Sequence, residues 1–175
     1  MSITKWIIDP THSEVSFKVK HLVISTVTGN FKEFEGAAES PSDDFVGATV
    51  SFSAAINSID TNQEDRDNHL KSADFFDAAN HPELSFTGKI ENDGGEFKLV
   101  GDLTLKGNTK PITLDLEFGG IAGDPYGQTK AGFEIEGKIS RKEYGLTWSA
   151  VTEAGSVIVS DQVRLIMSIQ LVKQA

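Results

Sequence analysis

The sequence predicts an all-β fold, an eight-stranded antiparallel barrel with one short helix in a long loop, and three observations carry the prediction. Eight segments alternate apolar and polar residues with the period of two that marks a half-buried strand. Most connections between them are short and hold Gly, Asn or Pro, so successive strands join as hairpins. The faces opposite the apolar ones carry Lys18, Lys20, Lys89, Glu91, Lys98, Asp102, Asp115, Glu117, Glu134, Glu136 and Lys138. That is too much charge for a wall that meets lipid, so the apolar faces turn inward.

In chain order, a short apolar piece, Trp6-Ile7-Ile8, precedes the first alternating segment, Val15-Phe17-Val19. The second, Phe31 to Ala38, loses its alternation between Phe31 and Phe34, which a bulge near Glu33 would restore. The third is Ala48-Val50-Phe52-Ala54-Ile56 and the fourth Leu84-Phe86-Gly88-Ile90. From there the pattern runs on through Phe97 to Leu105, Ile112 to Phe118, Ala131 to Ile139 and Val163 to Leu171. Asn92-Asp93-Gly94-Gly95, Gly107 to Pro111 and Gly119 to Gly127 link these as an antiparallel meander. Two connections are too long for hairpins. Asn57 to Pro82 contains Thr61-Asn62-Gln63-Glu64, which reads as a capping box opening a short helix whose one apolar residue is Leu70. Arg141 to Asp161 holds a single turn near Lys142-Glu143-Tyr144 and the aromatic Trp148.

Eight strands of this kind bury their apolar faces most simply by closing on themselves. A barrel of that size is either filled by its side chains or has room for one ligand. Gly88, Gly101 and Gly137 at inward positions fit both alternatives, since each either leaves space or marks a bend. The 175 residues fit one domain, 1–175, large enough to bury about two thirds of its unfolded surface. With 16 basic and 26 acidic residues the net charge is −10, which repels nucleic-acid backbones. No stretch is long and apolar enough for a membrane helix. The absence of cysteine removes disulfides, thiolate metal sites and cysteine nucleophiles. No signal segment opens the chain, so it reads as cytoplasmic; a chain trimmed of one would be periplasmic.

Motifs along the whole chain resemble the YceI-like family. Among them are Trp6-Ile7-Ile8-Asp9-Pro10-Thr11-His12-Ser13, Gly29-Asn30-Phe31 with Phe34-Glu35-Gly36, and Arg66-Asp67-Asn68-His69-Leu70-Lys71-Ser72-Ala73-Asp74-Phe75-Phe76-Asp77. So are Pro82-Glu83-Leu84-Ser85-Phe86, Gly101 to Pro111, and Arg141-Lys142-Glu143-Tyr144-Gly145-Leu146 with Trp148. The resemblance implies a lipocalin-like antiparallel barrel whose apolar pore holds a polyisoprenoid or another amphiphilic chain.

Phe17, Val19, Phe52, Ile56, Phe86, Leu103, Leu105, Leu114, Phe133, Ile135, Leu165 and Met167 are the candidate walls of such a pore, with plain barrel core as the alternative. Phe75 and Trp148, from the two long connections, join them. His21, Arg66, His69 and Arg141 are the candidate donors to a polar head, with ordinary surface or structural pairing as the alternative. The histidines are too scattered for a metal site, and no nucleophile elbow, phosphate loop or dinucleotide fingerprint is present. The reading is therefore a non-enzymatic binder of an isoprenoid or fatty-chain molecule, with no cofactor and no nucleic-acid partner. A homodimer, a lipid-modifying barrel enzyme and a filled barrel serving in stress or interaction all stay open.

Overall fold

The computed structural model describes residues 3–22, 24–148 and 159–175. Its strands are β1 (Thr4–Ile8), β2 (Glu14–His21), β3 (Ser25–Phe31), β4 (Phe34–Ser40), β5 (Thr49–Ala55), β6 (Ile59–Asp60), β7 (Glu83–Asp93), β8 (Glu96–Leu105), β9 (Asn108–Gly123), β10 (Thr129–Ser140) and β11 (Val159–Lys173), with one helix, α1 (Glu64–Lys71). The ring runs β1-β4-β5-β7-β8-β9-β10-β11 and closes because β1 also pairs with β11. Trp6, Ile7 and Ile8 stand opposite Lys173, Val172 and Leu171. The result is a closed eight-stranded antiparallel barrel with the predicted lipocalin-like architecture.

Three ring positions hold two strands each. β1 and β2 lie one after the other along β11, β3 runs on into β4, and β5 into β6. The three interruptions are neighbours in space. Lys32 donates its N–H to the Ser58 carbonyl at 3.1 Å, and Ala55 donates to that of Glu33 at 2.9 Å. The irregularity expected near Glu33 is thus one part of a bend that crosses adjacent strands. The break lets both Phe31 and Phe34, three residues apart, pack against the core.

The first interruption is a 3-10 turn at Pro10–His12, capped by Asp9, which accepts the Thr11 N–H at 3.1 Å. The same carboxylate accepts from Lys130 of β10 at 2.8 Å and meets His12 Nδ1 at 2.8 Å. Both Lys130 and Asp9 are largely shielded from water, so the kink is tied to the barrel wall.

The meander β7 to β11 pairs in sequence order. At its first hairpin Gly94 and Gly95 take φ of +63° and +93°, a turn that L side chains rarely adopt, and Asn92 accepts the Gly95 N–H at 2.9 Å. The inward glycines are neither bulges nor gaps. Gly88 and Gly101 face each other across β7 and β8 in regular register, and the Phe86 ring lies over both. A Cβ on Gly101 would come within 2.8 Å of that ring, so the missing side chain is what seats it.

The helix departs from expectation at its start. Gln63 is the N-cap and makes no side-chain cap bond, so the capping box does not form. Thr61 instead donates its hydroxyl to Asp67 and accepts Arg66 Nε at 2.8 Å. Asn62, with φ of +67°, turns the chain so that Thr61 meets Arg66 and Asp67 in place of Glu64. No residue of α1 is fully buried, and the segment is anchored by the buried Phe75 just beyond it.

Lys130 holds the Asp9 carboxyl far below its ordinary value of 3.8, and Asp9 raises the Lys130 ammonium above 10.5. The stabilisation from Asp9 is present above about pH 4 and is lost as pH falls toward its folded value; that from Lys130 is present below about 10.5 and is lost as pH rises through its raised value. Lys130→Met is therefore expected to lower Tm by a few degrees at pH 7. The gap between variant and wild type should shrink as pH is taken from 6 to 2, as thermal denaturation followed by circular dichroism would show.

Candidate functional site

Inside the barrel the inward faces do not meet. They leave a cavity of about 200 Å³, more than ten times the ~10–15 Å³ that holds one water. Its lining follows β11 from Val159 to Leu171. At ~3.3 Å per residue and a ~40° tilt, that stretch spans about 30 Å along the barrel axis. The lining is almost wholly apolar; Ser16, Ser51 and Arg141 are its polar members.

The predicted wall residues Phe17, Val19, Phe52, Phe75, Phe86, Leu103, Leu105, Leu114, Phe133, Ile135, Leu165 and Met167 all face this cavity, and so does Arg141. The alternation placed the strand residues, because inward faces of a closed sheet converge. Ile56 does not belong to the lining. It opens the 3-10 turn between β5 and β6 and is 2% exposed, buried in the core away from the cavity.

The proposed head-group donors are not gathered together. Arg66 is spent on Thr61, with Nε on the hydroxyl and Nη2 on the carbonyl at 2.5 Å. His21 closes β2 opposite Ser25 and Val159, off the lining. His69 Nε2 pairs with Asp74 at 2.9 Å, and its ring packs edge-on against Phe75 and Trp148, with centroids 5.1 and 4.8 Å apart. Phe75 and Trp148 themselves lie 5.2 Å apart, so Trp148 backs the cavity wall through Phe75 without reaching the lining.

Arg141 is 4% exposed, and among the described residues its hydrogen bonds go to main-chain carbonyls. Its Nε donates to Ser160 at 2.9 Å, Nη1 to Leu146 and Trp148 at 2.7 Å each, and Nη2 to Val159 at 3.1 Å. Four of its five N–H groups are thereby engaged, and burial pushes its pKa below the ordinary value against the opposing pull of Asp161. A guanidinium used this way fastens the end of β10 to the start of β11. Nearby Tyr144 is 1% exposed, and its hydroxyl meets no partner among the described residues; burial raises its pKa.

Several lining residues escaped the sequence reading. Leu70, Phe76, Leu146 and Phe31 come from the helix, the loops and the strand bend, where no period of two marks them. Below the cavity, outside its lining, a further aromatic backs the lining residue Phe133. Phe45, in the loop between β4 and β5, is wholly buried and packs on Trp6, Phe118 and Phe133 with centroids 5.0, 5.3 and 5.0 Å away. Among the described residues no group of three or more His, Asp or Glu is placed to hold a metal, and no helix is long and apolar enough to cross a membrane.

A closed antiparallel barrel around an elongated apolar cavity defines a lipocalin-like protein. The YceI-like domain matches residues 6–171, and the chain belongs to that family. It is 39% identical over 163 residues to a UPF0312 protein of Staphylococcus epidermidis, covering 93% of this chain and 94% of the relative. Against protein YceI of Salmonella newport the identity is 40% over 168 residues, covering 93% and 83%. The YceI protein of Campylobacter jejuni superposes with a TM-score of 0.75 at 33% identity, over 89% of this chain and 90% of the other. A polyisoprenoid binding domain from Saccharophagus degradans shares the fold, with a TM-score of 0.73 over 97% and 98% at 14% identity.

Arg141→Ala strands four carbonyls at the barrel end. Urea unfolding should show a loss of roughly 3 kcal/mol or more. Arg141→Lys keeps the charge but has three donors on a single nitrogen, so it should recover only part of that loss.

Proposed function

We propose that the protein holds one long apolar chain, an isoprenoid or another long-chain amphiphile, in the barrel cavity and acts as its carrier or sequestering protein, without catalysing a reaction on it. The observation that carries the reading is the shape and chemistry of the cavity: narrow, about 30 Å long and apolar almost throughout. The likeness to a domain described as polyisoprenoid binding and membership of the YceI-like family support it.

The energetics favour chain length over head group. Each buried methylene contributes roughly 0.8 kcal/mol, so ten carbons supply about 8 kcal/mol, within the ~4–15 kcal/mol that association costs. Longer chains are needed for tight retention. His69 and Arg141 are already held by Asp74 and main-chain carbonyls, and a net charge of −10 disfavours a polyanionic head.

Purified protein, extracted with organic solvent and weighed by native mass spectrometry, should carry a lipid of one dominant class or take up added quinones or prenyl lipids. Repeated recovery of the apo form with no uptake of either overturns the reading. Met167, half-buried on the lining opposite Val15 and Ile135, offers a way to fill the cavity. Met167→Trp should cut lipid retention at least tenfold and cost less than about 1.5 kcal/mol of stability, because the added ring enters empty space. A filled barrel would instead lose about 1–3 kcal/mol to overpacking.

A further inference from the structure

We propose that Phe45 sets the greatest chain length the cavity accepts. The proposal rests on the lipid-binding reading above and adds what that site selects. Along the walls a chain meets apolar side chains almost throughout, so each added methylene gains about the same free energy as the one before it. Nothing along the walls marks a preferred length. Selection has to come from whatever ends the cavity.

At the lower end that barrier is a ring cluster. Phe133 both lines the cavity and packs against Phe45, and Phe118 stacks on Phe133 with centroids 5.1 Å apart. Trp6 supports Phe45 from β1. Phe45 is the member of the cluster that no strand supplies. It comes from the loop after Ser40, whose neighbouring Asp43, Asp44 and Val46 are exposed, yet its own ring is 0% exposed.

The loop is built to hold that ring inside. Phe45 has φ of +63°, a left-handed conformation that costs a residue with a side chain and turns its ring in from an external loop. Asp44 accepts the Val46 N–H at 2.9 Å and the Ser42 hydroxyl, which fixes the turn on both sides of the ring. Gly47 then donates to the Ile90 carbonyl at 2.8 Å, and Ile90 returns a bond to Ala48 at 2.9 Å, pinning the loop to β7. A side chain kept in this conformation by its surroundings makes a rigid stop. A chain that reaches Phe133 meets a wall that Phe45 backs, and its next carbons find no room below.

Phe45→Gly removes the ring and suits the positive φ; Phe45→Leu is the smaller truncation. The test is a competition among linear all-trans prenols that differ by one isoprene unit, read by native mass spectrometry. Wild type should show a cut-off at which one further unit lowers occupancy at least tenfold. Phe45→Gly should move the cut-off up by one unit or more, and Phe45→Leu should raise occupancy of the first excluded prenol. If wild type retains prenols but the cut-off does not move, the floor is elsewhere and the proposal is overturned. Should the glycine variant fail to fold, the leucine variant decides in the same way. Retention of no prenol by wild type overturns the ligand class itself, and the length limit falls with it.

Discussion

The structure depends on one pairing between the two ends of the chain. Trp6, Ile7 and Ile8 of β1 hydrogen-bond along Lys173, Val172 and Leu171 of β11, and this short ladder turns an open sheet into a ring. Without it β1 and the last residues of β11 would present unpaired backbone groups beside a gap in the wall, although β2 would still pair along the rest of β11. With it, each strand of the eight-membered ring has a partner on both sides, and the interior it encloses is almost wholly apolar. The buried Trp6 helps hold the seam, since its ring packs on Phe45 beneath the cavity.

Closure does not by itself shape an elongated cavity. Three adjacent ring positions are broken at one level, and the 3-10 turn after β1, with Asp9 gripped by Lys130, sets the angle of the first break. The breaks bend the wall while preserving the register on either side. The two ends are then treated differently. The lower end is sealed by aromatic packing, which fixes positions through shape. The upper end is fastened by the Arg141 guanidinium on backbone carbonyls, which fixes the ends of two strands through charge-assisted hydrogen bonds.

Legibility in the sequence followed periodicity. Phe17, Phe86, Leu103, Ile135 and Leu165 were assigned to the cavity because a half-buried strand repeats every two residues and its faces cannot be exchanged without exposing the core. Phe45, which backs Phe133 below the cavity, was not singled out, since a single aromatic in a polar loop has no period and its positive φ is what directs it inward. Arg66, His69 and Arg141 were read as candidate donors to a ligand head, with structural pairing as the alternative; in the structure their partners are Thr61, Asp74 and main-chain carbonyls. A sequence gives the donors of a side chain; it does not say which acceptors the fold brings within 3 Å.

The alternation, the charged outer faces and the turn residues determined by themselves that this chain is an antiparallel barrel with an apolar interior, because each follows from local backbone geometry and from the cost of exposing or burying a side chain. Whether that interior is hollow was left open, and there only the tertiary structure decided. Void space is a small difference between the volume a ring of strands encloses and the volume its side chains fill. Gly88 and Gly101 show why composition could not settle it: the space they vacate is taken up by Phe86, while the cavity lies where inward faces across the ring stand too far apart to touch.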